Sequence, residues 1–346
     1  MPQSLKFDKD IAFMMPSPQL DFQSYFSVPI SDLASLGEQK YAGIYCANSA
    51  FGAEKIGLTD QFKEHAADYA RKYTHVQHTK NVLTEATRNL AIPEQAVILD
   101  LGSGSGNTVI AALDLFPSAS VIAIDLSEEL LRILQEHART KPEYTNRLFL
   151  MCQDACTDNF RHESMDLVLG AAILHHLIDP SQAIIAALRA LKPGGSAIFL
   201  EPFENGASIL RLAIKEILKL NKGHAQPLER PIKEFLKAVD YDYEVRTGTD
   251  KSAPIYRQID DKWLFTRTYF EDCARAVGAS DLKIFSINEL EYQFSCMIRT
   301  LLRVGLEREA DALPQWAWVV LSEFDSAFSR ELRKDLFLEA CVVITK

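Results

Sequence analysis

The chain has 346 residues, of which 47% are hydrophobic and 24% are charged, and it contains 15 glycines and 14 prolines. That composition is typical of a globular protein of one large domain or about two ordinary ones, and it excludes disordered, collagen-like and linker-rich chains. The 37 basic and 47 acidic residues give a net charge of −10. A protein that binds nucleic acid through its phosphates needs positive charge, so this net charge disfavours such a partner. The net charge does not exclude a local patch of basic residues.

Two further features bear on location and metal binding. No apolar run approaches the roughly 18 residues of a membrane span. The start of the chain carries Lys6, Asp8, Lys9 and Asp10, where a signal peptide would need an apolar stretch. Six scattered cysteines form no CxxC pair and no Cys/His ligand spacing, so we expect a cytoplasmic protein with reduced thiols and no metal site.

Short β-branched apolar runs alternate with helical periodicities between residues 91 and 204. The runs predict five buried strands, AVILDL, VIAIDL, LFLMCQ, MDLVLGAA and SAIFLEP, and two later runs, LKIFSI and FLEACVVIT, add two more. Strands this apolar belong to a parallel sheet with helices on both faces. The expected fold is α/β, with a doubly wound, mostly parallel, seven-stranded sheet of Rossmann-like type.

A glycine-rich loop, GSGSG at 102–106, directly follows the first predicted strand. Such a loop lets the backbone approach a ligand closely and aims a helix N-terminus at it. The spacing is GxGxG and not the GxGxxG of dinucleotide binders, and Asp100 just ahead of it would discourage a pyrophosphate. A cationic ligand suits Asp100 better, so a nicotinamide-dependent oxidoreductase is a distant alternative.

Polar residues also follow the next strands. Asp125 ends the second strand, where a carboxylate can accept hydrogen bonds from both hydroxyls of a ribose. Asp154 ends the third strand and could receive the exocyclic amine of an adenine. The fourth strand leads to a switch-point crevice near His175 and His176. Because the carboxyl ends of parallel strands meet at one edge, we expect these groups to face one cleft.

Together these motifs resemble the class I S-adenosylmethionine-dependent methyltransferases, particularly the group that includes the ubiquinone and menaquinone biosynthesis enzymes. The resemblance is carried by VILDLGSGSGN, VIAIDLS, QDA, MDLVLGAAILHHLIDP and LRALKPGGSAIFLEP, within residues 91–204, a third of the chain. It implies the Rossmann-like methyltransferase fold, S-adenosylmethionine as cofactor and methyl transfer as activity. It also implies eight cofactor-binding residues: Asp100, Gly102, Ser103, Gly104, Asp125, Leu126, Asp154 and Ala155.

In that implied arrangement the glycine loop cradles the methionine part, with Asp100 near its amino group. Asp125 binds the ribose hydroxyls, Leu126 packs on the adenine, and Asp154 with the backbone of Ala155 contacts the adenine edge.

Three residues are candidates for a general base or for positioning the acceptor: His175, His176 and Glu201. The two histidines are adjacent, so on a helix or strand they point in different directions and cannot both serve one site. His75 and His78, three apart on a predicted helix, lack a third ligand and favour a solvated or cleft-lining helix face over a metal site.

The rest of the chain is expected to cover the cleft. The predicted division is a helical or irregular extension (1–90), the cofactor-binding core (91–204), a helical lid insertion (205–265) and the end of the core (266–346) with a second helical insertion at about 290–335. In the first insertion SILRLAIKEILKL has one apolar face, with Arg211, Lys215 and Lys219 on another. Glu216 interrupts that basic side, which favours packing on the domain over a membrane-surface helix.

The expected activity is methyl transfer to a small-molecule acceptor by in-line displacement under a lid, with O-methylation favoured over N- or C-methylation. The cofactor motifs, the negative charge and the large apolar coverings motivate it. The alternatives are a methyltransferase acting on protein or RNA, and a non-catalytic S-adenosylmethionine-binding partner subunit. No nucleic-acid partner is expected, and the oligomeric state is left open, a homodimer included.

Overall fold

The predicted strands lie side by side in one sheet, in a computed structural model that describes residues 21–53, 55, 58–288 and 291–346. The charged start of the chain, with Lys6 and Asp10, lies outside these residues. The strands are β1 (Ile30–Asp32), β2 (Ile44–Ala47), β3 (Val97–Leu101), β4 (Ser120–Asp125), β5 (Leu148–Cys152), β6 (Met165–Ala171), β7 (Leu191–Pro202), β8 (Asp281–Ser286) and β9 (Glu339–Thr345).

The centre of the sheet is parallel, in the order β5-β4-β3-β6-β7. Beyond β7, β9 pairs antiparallel with β7, and β8 pairs antiparallel with β9. This confirms the seven predicted strands and the doubly wound α/β class. Among the described residues the sheet has nine strands and not seven, because β2 adds parallel to β5 and β1 adds antiparallel to β2. These two strands are only three and four residues long, too short to give a periodic pattern in the sequence.

Helices connect the strands and cover the sheet. They are α1 (Asp60–Lys63), α2 (Ala66–Lys72), α3 (Val76–Thr87), α4 (Asn107–Leu115), α5 (Glu128–Arg139), α6 (Pro142–Thr145), α7 (Pro180–Ala190), α8 (Glu204–Leu220), α9 (Arg230–Arg246), α10 (Arg267–Ala276), α11 (Gln293–Leu306), α12 (Gln315–Ser326) and α13 (Arg330–Arg333). Short 3₁₀ turns include Leu174–His176. Within the described part of the chain, none of the helices has the length and apolarity needed to cross a membrane.

Each face of the sheet has its own hydrophobic core. Val82 of α3, Val109 of α4 and Leu131 of α5 pack on one face. Ile184 of α7 and Phe270 of α10 pack on the other. Every residue of β3 is buried, which explains why the central strands lack the polar alternation of a half-exposed sheet. Burying one such large aliphatic side chain contributes about 1.5–3 kcal/mol.

Helices α8, α9, α11 and α12 share a third core, and we call these four helices the helical module. Leu210 and Ile214 of α8 pack there with Leu302 of α11. The apolar face of α8 is therefore buried, as the packing interpretation predicts. Its basic face contacts α9, where the Arg211 Nε lies 2.9 Å from the Asp240 carboxylate.

The segment that returns from the helical module to the sheet passes along the end of β7. Phe203, at the end of that strand, pairs with Phe265 in a parallel bridge. Three residues earlier on the returning segment, the Lys262 backbone amide donates a hydrogen bond of 2.7 Å to the carbonyl of His175. The first insertion therefore ends against the strand ends where the sequence predicts the functional cleft.

Candidate functional site

The glycine-rich loop leaves β3 in a conformation that requires glycine. Gly102 and Gly104 have φ angles of 63° and 50°, in the left-handed region that side chains disfavour. A Cβ on Gly102 would also lie 2.5 Å from the side chain of Ile173, whereas a Cβ on Gly104 would meet nothing within 4 Å. The loop is therefore closely packed on its β6 side and open at Gly104. The Ser103 amide, between them, donates to the Ile124 carbonyl at 2.8 Å.

Asp100 lies beneath this loop, fully buried. Its Oδ2 accepts a hydrogen bond of 3.0 Å from the hydroxyl of Thr108, and its Oδ1 has no partner. Burial raises the pKa of Asp100 to about 7. A buried carboxylate with one free oxygen is costly on its own and fits a cationic group that would satisfy it. The residue therefore suits the amino group of a bound amino-acid moiety.

Asp125 ties the end of β4 to the glycine loop. Its two carboxylate oxygens accept hydrogen bonds of 2.8 Å, one from the Gly104 amide and one from the Ser127 amide. Burial raises the pKa of this carboxyl group. Each carboxylate oxygen has two lone pairs, so further acceptor capacity remains for two hydroxyl groups.

Asp154 and Leu126 lie at the neighbouring strand ends. The Asp154 side chain accepts a hydrogen bond of 2.8 Å from the Cys156 amide, and Ala155 between them is buried. The Leu126 carbonyl accepts a hydrogen bond of 2.9 Å from the Lys55 ammonium, a contact that the sequence did not predict. The loops after β4 and β5 are thus held in place by local hydrogen bonds and by one residue of the N-terminal extension.

The cysteines beside Asp154 behave as apolar residues. Burial raises the pKa values of the Cys152 and Cys156 thiols to about 12. Both thiols are therefore protonated at neutral pH and show no sign of the thiolate character that redox or nucleophilic cysteines need.

The Glu201 side chain, from β7, organises the turn after β6. One carboxylate oxygen accepts hydrogen bonds from the amides of Ile173 and Leu174, at 3.1 and 2.8 Å. The other lies 2.6 Å from the His175 Nδ1. With both oxygens engaged, Glu201 holds His175 in place and has little capacity left to act as a base itself.

Asp261, from the end of the first insertion, completes this cluster. Its Oδ1 lies 3.5 Å from the Nε2 of His175 and 3.3 Å from the Nδ1 of His176. Its Oδ2 lies 3.2 Å from the guanidinium of Arg246. The adjacent histidines sit on a 3₁₀ turn, and their ring centroids are 4.2 Å apart. The condition under which they would point apart, an α-helix or a strand, is therefore not met, and both rings lie on the same side of this turn near Asp261.

The two histidines have opposite electrostatic surroundings. Burial opposes protonation of His175, but the charges of Glu201 and Asp261 outweigh it and raise its pKa to about 9. Burial and the neighbouring His175 lower the pKa of His176 to about 3. Although burial favours a neutral acid, the His175 imidazole and the Arg246 guanidinium hold the pKa of Asp261 below its usual range. At neutral pH the cluster therefore contains one cationic and one neutral imidazole.

The N-terminal extension lies across this cleft. The Phe62 ring contacts His176 edge to face at 5.5 Å between centroids, and the same ring contacts Tyr69 at 5.0 Å. Burial, and next the Asp125 carboxylate, raise the pKa of the Tyr69 phenol. Its position was not predicted from the sequence.

A pair of hydrogen bonds fixes the extension to the first residue of α4. The Asn107 amide nitrogen donates to the Tyr73 carbonyl at 2.7 Å, and its amide oxygen accepts from the His75 backbone at 2.8 Å. His75 precedes α3 and His78 lies on it, both exposed, so the structure supports the solvated-face interpretation of these two histidines.

With this geometry in view, comparisons with known proteins identify the domain. Residues 99–199 match a family model described as a methyltransferase domain. A demethylmenaquinone methyltransferase of Lactiplantibacillus plantarum is 30% identical over 129 residues, which is 37% of this chain and 52% of that protein. A ubiquinone biosynthesis O-methyltransferase of Hydrogenovibrio crunogenus matches with the same identity and the same shares.

One further relative and one solved structure are also similar to this chain. A malonyl-[acyl-carrier protein] O-methyltransferase of Methylococcus capsulatus is 29% identical over 146 residues, 42% of this chain and 52% of that protein. A solved phosphoethanolamine N-methyltransferase 2 of Haemonchus contortus, in complex with S-adenosyl-L-methionine, superposes with a TM-score of 0.47 and 18% identity, covering 82% of this chain and 57% of that one. The chain spans about half the length of the curated relatives it matches.

Residues 99–199 are therefore similar to methyltransferase domains, in agreement with the class I S-adenosylmethionine-dependent methyltransferases that the sequence motifs resemble. S-adenosylmethionine is the cofactor of this class. Within the class, the matching relatives include the quinone-biosynthesis methyltransferases that the motifs resemble.

Proposed function

We propose that this protein transfers the methyl group of S-adenosylmethionine to a small-molecule acceptor, with an oxygen atom as the favoured acceptor. The observation that carries the proposal is the buried Asp100, which has one unpartnered oxygen and lies two residues before the glycine loop. Asp125 of the neighbouring strand accepts a hydrogen bond from the Gly104 amide of the same loop. A cofactor with a cationic amino group and a ribose would satisfy both carboxylates.

The residues at the ends of β3, β4 and β5 would hold the cofactor. Asp100 and the loop of Gly102, Ser103 and Gly104 would bind its amino-acid part, and Asp125 its ribose hydroxyls. The adenine would lie against Leu126, Asp154 and Ala155. When bound, S-adenosylmethionine supplies an electrophilic methyl group on a sulfonium.

The residues at the ends of β6 and β7 would receive the acceptor. The turn that carries His175 and His176 adjoins the glycine loop through the close packing of Ile173 on Gly102. We assign the two histidines to contact with the acceptor and Glu201 to positioning, because the Glu201 oxygens accept from the backbone of that turn and contact His175. Phe62 and Tyr69 would exclude water from above, which an in-line displacement needs.

Two observations support a small molecule with an acceptor oxygen. The net charge of −10 disfavours a nucleic-acid substrate. One matching relative is named a ubiquinone biosynthesis O-methyltransferase. The division into core, covering extension and lid insertions is part of the same proposal, since the coverings would define which acceptor fits.

A second candidate is an acceptor presented by a protein. It is favoured by the malonyl-[acyl-carrier protein] O-methyltransferases among the relatives, of which the Methylococcus capsulatus protein is one. In that case the methyl group would go to an acyl carboxylate carried on a protein partner.

Calorimetry with S-adenosylmethionine tests the cofactor assignment. We expect Asp125→Asn to weaken binding by at least about tenfold, because two charge-assisted hydrogen bonds to the ribose would be weakened. Asp281→Asn, on the edge strand β8 and outside the site, is the matched control and should bind as the wild type does. Unchanged binding by Asp125→Asn would contradict the assignment.

The acceptor class is tested with labelled S-adenosylmethionine and a cell extract that is separated into metabolite and protein fractions. Label in a small molecule supports the first candidate. Label that appears only in protein fractions supports the second, and transfer to no fraction by a protein that binds the cofactor would contradict both.

A further inference from the structure

Three side chains at the acceptor end of the cleft offer metal-ligand atoms to one point. The Nε2 of His175, the Nδ1 of His176 and the Oδ1 of Asp261 lie within 4.8 Å of one another. The Asp261 oxygen is 3.5 Å from the first nitrogen and 3.3 Å from the second. The sequence predicted no metal site, because Asp261 is far along the chain from the histidines.

The separations between these atoms match a known coordination geometry. Ligands about 2.0–2.1 Å from a zinc ion, at tetrahedral angles, lie roughly 3.3–3.4 Å from each other. The two measured distances to Asp261 fall at or just above that value. The two histidine nitrogens lie within 4.8 Å of each other, and the His176 Nδ1 also lies 3.1 Å from the Asp260 carbonyl. An ion that displaces the protons on these nitrogens could bridge the three atoms once the histidine rings move to meet it.

The groups around the three atoms are also those of a metal site. Metal-binding histidines usually give their second ring nitrogen to a carboxylate, and the Nδ1 of His175 lies 2.6 Å from Glu201. Arg246 holds the second oxygen of Asp261 at 3.2 Å. Lys262 is buried nearby, but its ammonium donates to the carbonyls of Ile259 and Asp260. His175 carries a proton at neutral pH, and a metal ion would displace it from the Nε2. With His175 neutral, the carboxylates of Glu201 and Asp261 face one guanidinium in direct contact, which leaves the cluster suited to a cation.

We propose that His175, His176 and Asp261 bind one Zn²⁺ ion, with the fourth position open to the acceptor. The role of the ion in methyl transfer rests on the proposed function, whereas the test of zinc binding does not depend on it. Three protein ligands and one open position are typical of catalytic zinc. The ion would act as a Lewis acid that lowers the pKa of an acceptor hydroxyl. The hydroxyl proton leaves to solvent, the O–CH₃ bond forms and the S–CH₃ bond breaks, which leaves S-adenosylhomocysteine.

Zinc binding is measured without cofactor or acceptor, on the full chain free of any affinity tag and dialysed against chelator. Calorimetry with Zn²⁺ should show one site per chain. His176→Ala and Asp261→Asn should each weaken that site by at least about 100-fold, and Glu201→Gln by about 10- to 100-fold, the range seen when a group that orients a ligand is lost. Co²⁺ in place of Zn²⁺ should give the absorption bands of a tetrahedral site in the wild type but not in His176→Ala or Asp261→Asn.

The matched control is His162→Ala. His162 is an exposed histidine whose Nε2 lies 3.5 Å from Asp158, so it offers a histidine–carboxylate pair on the surface without a third ligand. This variant should bind Zn²⁺ as the wild type does. Thermal unfolding without metal shows whether each variant folds, and added Zn²⁺ should then raise the melting temperature of the wild type and of His162→Ala only.

Failure of this inference and failure of the proposed function are distinguishable. If the wild type binds no Zn²⁺, or if folded His176→Ala and Asp261→Asn bind it as tightly as the wild type, the metal site is wrong. Methyl transfer that persists in chelator would leave the proposed function intact in that case. A protein that binds Zn²⁺ at this site but not S-adenosylmethionine would retain the metal site and lose the proposed function.

Discussion

The sheet and the helical module bury equally apolar residues but are assembled in different ways. The central strands β3 to β7 follow one another between Val97 and Pro202, and each strand end adds a polar group to the cleft. The helical module joins two segments, 204–246 and 293–326, that are separated by α10 and β8. The strand ends proposed to hold the cofactor therefore come from local sequence, whereas the helical module, and the contact of Asp261 with His175 and His176, depend on segments far apart in the chain.

The largest expected effect comes from removing one core leucine in each region. Leu169 of β6 and Leu302 of α11 are both fully buried, so Leu169→Ala and Leu302→Ala should each lower the free energy of unfolding by about 2–5 kcal/mol. Leu169 is paired with Asp100 on β3, so its loss should also weaken S-adenosylmethionine binding. Leu302→Ala should leave that binding within about twofold, because a buried site beyond contact range acts independently.

Urea unfolding and calorimetry on the two variants check this difference. A folded Leu302→Ala protein that no longer binds the cofactor would show that the two regions are one cooperative unit. The sheet would then not bind the cofactor independently of the helical module.

A smaller effect is expected from pH, and it should arise only in the sheet region. Burial raises the pKa of Asp100 to about 7, above the roughly 3.9 of an unfolded chain. The folded protein without cofactor therefore holds a proton between those values, and this stabilising contribution is lost as pH rises through about 7. A cationic amino group favours the deprotonated form, so cofactor affinity should rise by up to about tenfold per pH unit below 7 and then level off.

Calorimetry at several pH values between about 5.5 and 8.5 measures that dependence. In Asp100→Asn the affinity should be lower and the dependence on Asp100 absent. The same slope in wild type and variant would assign the titration to another group.

The smallest effect is expected for the ion pair between α8 and α9. Arg211 and Asp240 are largely shielded from solvent, with side chains 14% and 18% exposed. Arg211→Ala should lower the free energy of unfolding by about 1 kcal/mol, and added salt should reduce the difference. Lys219→Ala, which removes the exposed pair with Glu216, is the control and should be neutral. A loss of several kcal/mol from Arg211→Ala would mean that charge, and not the apolar core, holds the module together.

The difference between local contacts and contacts of distant segments explains which features could be predicted from the sequence. Asp100 and Asp125 were found because each lies at the carboxyl end of an apolar strand, and these strand ends meet at one edge of a parallel sheet. Ser127 caps α5, since its hydroxyl accepts from the Leu130 amide. These features depend on neighbours within a few residues, which a single sequence displays.

Asp261, Lys55 and Tyr69 could not be placed in this way. Their roles arise from contacts with residues far along the chain, and no local period encodes them. The run Asp260-Asp261-Lys262 does stand between apolar residues just before the core resumes, and three charges at such a boundary were the one available signal. The 3₁₀ turn that brings His175 and His176 together was equally hidden, since three residues are too few to give a period.

The shared core of the helical module has a consequence for shortening this chain. Leu210 and Leu302 come from different insertions and are both fully buried in that core, so removing either insertion alone would expose the apolar face of the other. In protein engineering the two insertions would therefore be kept or removed together. A minimal cofactor-binding version would delete both together and reconnect β7 to α10, and β8 to β9, through short loops.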